Sequence, residues 1–258
     1  MPSIRVGCAG YSYDDWVGPF YPEGLPKERR LEWYAQTFSL LELNFSYYAM
    51  PKKAHLDSLR ASVPEEFRFS IKAHGSLTHQ RTDDWKARAQ EFSEAIKGLE
   101  NKLCGVLLQF PYGFHYTEAN RRYLADLVEA LSGPELFVEF RNTEWERQQV
   151  IDGMRRRELN RVLVDAPELR GLPGRFEGGE ELPTSRAYLR LHGRNAENWW
   201  SGTNVTRYAY NYSGDELRAL AKRLESVTAP EIFVVFNNHA NARAPFNALE
   251  LLKFIEVE

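Results

Sequence analysis

The chain is 258 residues long and carries 33 Lys and Arg against 36 Asp and Glu, so a formal charge of -3 gives no support to wholesale attraction by nucleic acid or an anionic membrane. No segment approaches the ~18 consecutive apolar residues that span a bilayer, and the N-terminus has no leader-like apolar run. We therefore expect one soluble, cytoplasmic domain over 1–258, without a membrane partner and with its two cysteines, Cys8 and Cys104, reduced.

In chain order, IRVGCAG (4–10) reads as a buried strand and KERRLEWYAQTF as a helix, started by Pro26. LLELNF (40–45) and PKKAHLDSLRAS repeat the pattern, as do FRFSIKA (67–73) and DDWKARAQEFSEAIKGLEN, and then CGVLLQF (104–110) and EANRRYLADLVEAL behind Thr117. LFVEF (136–140) and EWERQQVIDGMRRREL form a fifth unit. RVLVDA (161–166) leads into PELRGLPGRFEGGEELPTS (167–185), too rich in Gly and Pro for a helix, so the sixth crossover is expected to be irregular. AYLRLH (187–192) is followed by a long loop, 193–213, then by DELRALAKRLES behind Ser213. IFVVFN (232–237) and FNALELLKFIEV close the chain.

Strands buried on both faces and alternating with helices imply a parallel sheet with right-handed crossovers. Eight such units in about 250 residues is the size of a TIM-type (β/α)8 barrel, with a doubly wound open sheet as the alternative. Polar strand ends favour the barrel, because a barrel gathers its site from many strand ends: Asn44, Lys72 and His74, Gln109, Glu139 and Arg141, Asp165, Arg190 and His192, Asn237 and Asn238.

The segments GCAGYSYDDWVGPFYP (7–22), ELNFSYYAMP (42–51), FSIKAHGSLTH (69–79), LLQFPYGF (107–114), VEFRNTEW (138–145), LRLHGR (189–194) and FNNHANARAPFNA (236–248) resemble, in this order, the domain-of-unknown-function 72 (YecE-like) family. The first departs from the family's GxxGWSY pattern, with Tyr11 in the tryptophan's place. The resemblance implies a TIM-type barrel with its site at the mouth and no particular reaction.

Side chains two apart on a strand share a face, so Glu42 with Asn44, Ser70 with Lys72 and His74, Glu139 with Arg141, and Arg190 with His192 are expected to point into the barrel mouth. A carboxylate hemmed by Lys72, Arg141 and Arg190 reads either as a plug of the barrel top or as a cationic pocket for an anionic, phosphorylated or polyhydroxyl small molecule. In the second reading Glu139, His192 and Lys72 carry the chemistry, that of a hydrolase of phosphodiesters or sugar phosphates, or of an isomerase. Asn44, His74, Gln109, Arg141, Asp165, Arg190, Arg194, Asn237 and Asn238 would bind and orient the ligand, with Tyr11, Trp16 and Trp145 among the aromatic walls.

His74, Glu139, Asp165 and His192 are the candidate ligands for a metal, but Gln109 and Asn237 stand where further ligands would be needed, so no metal site is assigned. GxGxxG and GxxxxGK phosphate loops are absent, and no motif indicates a cofactor or an oligomeric state. The alternative is a non-catalytic binder of nucleic acid or a nucleotide that uses loop aromatics and arginines.

Overall fold

The structure is a computed structural model that describes residues 2–256. Eight strands, β1 (Ser3–Ala9), β2 (Leu40–Leu43), β3 (Arg68–Lys72), β4 (Leu103–Gln109), β5 (Leu136–Glu139), β6 (Asn160–Asp165), β7 (Arg186–Leu191) and β8 (Glu231–Phe236), pair in sequence order. Every pairing is parallel, and β8 returns to β1 with Ser3 opposite Glu231 and Cys8 opposite Phe236, closing a TIM-type barrel. The open-sheet alternative is thereby excluded.

The connections are helical except where the sequence breaks the pattern. Behind β1 the chain makes a 3-10 turn at Lys27–Arg29 and then only α1 (Arg30–Tyr34), shorter than the run 27–38, because it must turn down into β2 at Leu40. The Tyr34 hydroxyl fixes that descent by donating to Leu40 O at 2.8 Å and accepting from Cys8 N–H at 2.7 Å. After β2 come α2 (Phe45–Tyr48) and α3 (Lys53–Ala61), after β3 come α4 (Gly75–Thr78) and α5 (Trp85–Ile96), and after β4 and β5 come α6 (Glu118–Ala130) and α7 (Gln148–Arg156). No helix lies between β6 and β7, and the loop after β7 carries one short turn of helix, α8 (Asn204–Arg207). Then α9 (Gly214–Glu225) and α10 (Arg243–Glu256) flank β8.

Two caps anticipated from the sequence are present. Thr117 Oγ1 accepts from Asn120 N–H at 3.2 Å, and Ser213 and Glu216 form a reciprocal capping box at the start of α9. Helices bury their apolar stripe against the outside of the sheet, as Leu217, Leu220 and Leu224 do in α9.

Inside the barrel, Leu40, Leu107, Phe137, Val162, Val164, Tyr188, Phe233 and Val235 form a packed lower layer. The same strand faces, two residues further along, carry Glu42, Gln109, Glu139, Arg190 and Asn237, so alternation stacks a polar tier directly above an apolar one. Cys8 and Cys104 are free and buried. No helix among the described residues is long and apolar enough to cross a membrane.

Candidate active site

The polar tier is organised by Arg190. Its guanidinium lies at 2% exposure and binds Glu42 through two bonds, Nε to Oε2 at 2.9 Å and Nη2 to Oε1 at 2.7 Å, and reaches Glu139 Oε2 through Nη1 at 2.6 Å. Glu42 also accepts from Tyr188 OH at 2.9 Å, and that hydroxyl is 2.6 Å from Ser70 Oγ. Strands β2, β3, β5 and β7 are thus tied across the barrel by one network. Burial works to raise the Glu139 carboxyl, but Arg141, Arg190 and then His192 outweigh it and hold the group ionised, well below the usual carboxylate range.

His192 is fully buried, with Nε2 3.1 Å from Glu139 Oε1 and Nδ1 3.1 Å from Asn237 Nδ2. Burial, then Arg141, pushes its pKa down to about 3. A neutral ring that donates from Nε2 to the carboxylate and accepts at Nδ1 from the Asn237 amide satisfies both contacts. Glu139 and His192 are therefore together, as the strand faces imply, but they lie beneath the floor of the mouth and neither lines the cavity.

That cavity, about 690 Å³, is bounded by groups from the top of the barrel and its loops. Lys72, Arg141, Arg190 and Arg207 supply positive charge, and no Asp or Glu is among its lining residues. Asn44, Gln109 and Asn237 add amides, and Tyr13, Tyr47, Tyr48, Tyr112, Trp199, Trp200 and Tyr208 add rings. Arg141 engages Glu139 through Nε, lies with its guanidinium carbon 5.5 Å from the Trp199 ring centre and lines the cavity. Asn44 Oδ1 is buried without a hydrogen-bond partner, an acceptor waiting for a donor.

Lys72 differs from the arginines. Its Nζ donates to Gln109 Oε1 at 2.9 Å and sits 4.3 Å from the Tyr47 ring centre, and it makes no ion pair among the described residues. Gln109 is oriented for this role because its Nε2 donates to Phe110 O at 2.8 Å, turning the amide oxygen toward the amine. Burial, then Arg190, draws the Lys72 pKa from the ordinary lysine value down to about 7, against an upward pull from Glu139 and Glu42. His79, beside Tyr47 with rings 4.8 Å apart, is held down to about 4 by burial and by Lys72 and Arg141.

Other residues anticipated at the mouth lie elsewhere. Asp165 is one residue out of phase: Val162 and Val164 face the barrel interior, so Asp165 faces out, where Arg194 grips it with two bonds of 2.8 Å and Tyr212 OH donates at 3.0 Å. That grip, with a further bond from Arg194 to Glu216 at 2.8 Å, occupies Arg194 and anchors the long loop to α9. Gly193 starts that loop at φ +80°, and a Cβ there would meet Tyr210 Cβ at 2.4 Å. Asn238 donates to Tyr210 O and Asn247 Oδ1 instead of facing the cavity, and His74 caps α4 by accepting from Ser76 N–H at 3.3 Å.

Trp16 is fully buried in the first loop with Nε1 bound to His239 O at 2.8 Å, and Tyr11 packs beside the core. Trp145 is stacked between Phe114 and Phe140. Among the described residues no group of three or more His, Cys, Asp or Glu side chains is placed to hold a metal ion, since His74 and Asp165 stand apart from Glu139 and His192. Sequence reasoning passed over His239, which lines the cavity and stacks on Tyr13 at 4.6 Å. It lies in a turn with no periodicity to mark it.

A closed (β/α)8 barrel with a cationic, aromatic-walled mouth at the C-terminal ends of its strands is the class of protein these features define. Residues 5–258 match the profile of the protein family of unknown function DUF72, and the chain belongs to that family. The UPF0759 protein YunF of Bacillus subtilis strain 168 is 27% identical, over 99% of this chain and 95% of its own length. The UPF0759 protein YecE of Escherichia coli K12 is 28% identical over 63% of this chain and 59% of its length. A DUF72 family protein of Thermotoga maritima MSB8 is 35% identical with a TM-score of 0.88, covering 98% of this chain and 99% of that one. One from Enterococcus faecalis V583 is 26% identical with a TM-score of 0.86, covering 99% and 96%.

Proposed function

We propose that the barrel mouth binds a small anionic molecule, phosphorylated or polyhydroxylated, and acts on it. The observation that carries this reading is the composition of the cavity wall: Lys72, Arg141, Arg190 and Arg207 line it, and no carboxylate does. The two acids of the network, Glu42 and Glu139, are paired with Arg190 and Arg141 and do not line the cavity, which leaves Lys72 and Arg207 as its lining cations without an ion pair among the described residues. A cavity of about 690 Å³ suits a small metabolite, and the unpartnered Asn44 Oδ1 suits a ligand hydroxyl. Isomerisation is favoured over hydrolysis, because Lys72, at the cavity wall, is able to take and return a proton near neutrality whereas the buried Glu139 is held ionised.

Isothermal titration with inorganic phosphate and with a sugar phosphate tests this. We expect both to bind the wild-type protein, the sugar phosphate more tightly, and Arg141→Gln to weaken both by about tenfold or more, the worth of one charge-assisted pair. Affinity unchanged in a folded Arg141→Gln protein overturns the reading.

One observation favours the second reading, nucleic acid or nucleotide binding: Tyr48, Trp200 and Tyr112 stand at the rim with 70%, 53% and 39% exposure, available for stacking. Titration of a labelled single-stranded oligonucleotide at low salt separates the two. Tight, salt-steep binding lost in Trp200→Ala would favour it over a small anion.

A further inference from the structure

We propose that Lys72 is a nucleophilic amine that forms an imine with the carbonyl group of a short anionic carbonyl compound bound at the mouth. The inference rests on the anion-pocket reading above and goes further, by naming the functional group that the ligand must carry.

The placement of the amine is unlike that of a structural lysine. A buried lysine is ordinarily neutralised by a carboxylate or consumed by backbone carbonyls, as Lys102 is by Arg60 O at 3.1 Å and Val63 O at 2.8 Å. Lys72 instead receives one neutral amide oxygen and the face of one ring, and both nearby carboxylates are already bound by arginines. Arg190 from β7 and Arg141 just past β5 press on it, while Glu139 from β5 and Glu42 from β2 attract it. Tyr47 on α2 and His79 beyond α4 also face it, and His79, its pKa held down by burial and by Lys72 and Arg141, adds no further positive charge. Desolvation next to other cations is the setting that releases a lysine as a free amine near neutral pH.

The same cations that suppress its charge would hold the carboxylate or phosphate of the substrate. Arg141, just past the end of β5, lines the cavity two strands along from the amine on β3, so an anion held beside it leaves the rest of a short molecule to cross the mouth toward Lys72. The chemistry balances without an external oxidant. The lone pair of Nζ forms a bond to the carbonyl carbon, the carbonyl π electrons move to oxygen, and one Nζ proton passes to that oxygen, the second leaving with it as water in the next step. The carbinolamine then loses water as the second nitrogen–carbon bond forms, so amine and carbonyl give imine and one water.

The test is reductive trapping with two probes, pyruvate for the carboxylate and dihydroxyacetone phosphate for the phosphate, each with sodium borohydride, followed by peptide mass mapping. We expect the reduced adduct of at least one probe on the peptide carrying Lys72, about tenfold or more above any other lysine, with labelling that rises as pH passes through about 7. Lys72→Arg keeps the positive charge and is expected to retain probe binding by calorimetry while losing the adduct. Wild-type binding of both probes without an adduct, or labelling undiminished in Lys72→Arg, overturns the imine and leaves the anion pocket standing. Failure of both probes to bind or to label overturns the two readings together.

Discussion

Glu139 and Lys72 sit in one network and are held in opposite ways. Removing the Glu139 carboxylate leaves Arg190 and Arg141 buried with less countercharge, so Glu139→Ala should cost about 3–5 kcal/mol in urea unfolding, a large share of a typical domain's stability. The depressed Glu139 value also sets a pH window. Its contribution is fully present above the unfolded carboxyl value near 4.5 and is lost as pH falls below that toward the folded value. Glu139→Gln should therefore flatten the acid limb of the stability curve, and an unaltered acid limb would count against an ionised Glu139. For Lys72 the sign reverses: with a folded value near 7 against 10.5 unfolded, the unfolded chain binds more protons between those values and stability rises across that window. Lys72→Met should be more stable than wild type below neutrality, on the order of 2 kcal/mol after discounting for solvent screening, and should lose the alkaline rise.

At the scale of elements, much was legible because burial imposes a period. The eight strands lie within a residue or two of the apolar runs, and the period of two brought Glu42, Ser70, Lys72, Glu139, Arg141, Arg190 and His192 into the barrel, whereas His74, expected there by the same period, lies past the end of β3 and caps α4. Asp165 escaped because a polar residue at a strand end does not by itself fix the face it takes, and Val164 rather than Asp165 holds the interior phase. Loop aromatics carry no parity at all: Trp16 and Trp145 are core, whereas Trp199 and Tyr208 line the cavity, and only tertiary packing separates them. The Ser213 cap, in contrast, is a local signal, and Ser213→Ala should cost about 1 kcal/mol by loosening α9. Because Arg194 and Tyr210 both reach Glu216 in that helix, the loss should also increase amide exchange across the loop 193–213.

For the whole molecule, the fold turns a weakly acidic chain into one with a locally cationic mouth. A net charge of -3 says nothing of this, because Glu42 and Glu139 are buried against arginines and do not line the cavity, whereas Lys72, Arg141, Arg190 and Arg207 do. Ligand attraction should accordingly be local and only mildly salt-dependent, whereas a nucleic-acid partner would give a steep slope. The most direct measurement is the anomalous diffraction of crystals soaked in selenate, which reports where an oxyanion settles without any assumption about the reaction. We expect the strongest selenium peak inside the mouth, within hydrogen-bonding distance of Arg141 and at least one of Lys72 and Arg190. A mouth empty of selenate, with peaks only at surface arginines, would contradict the account.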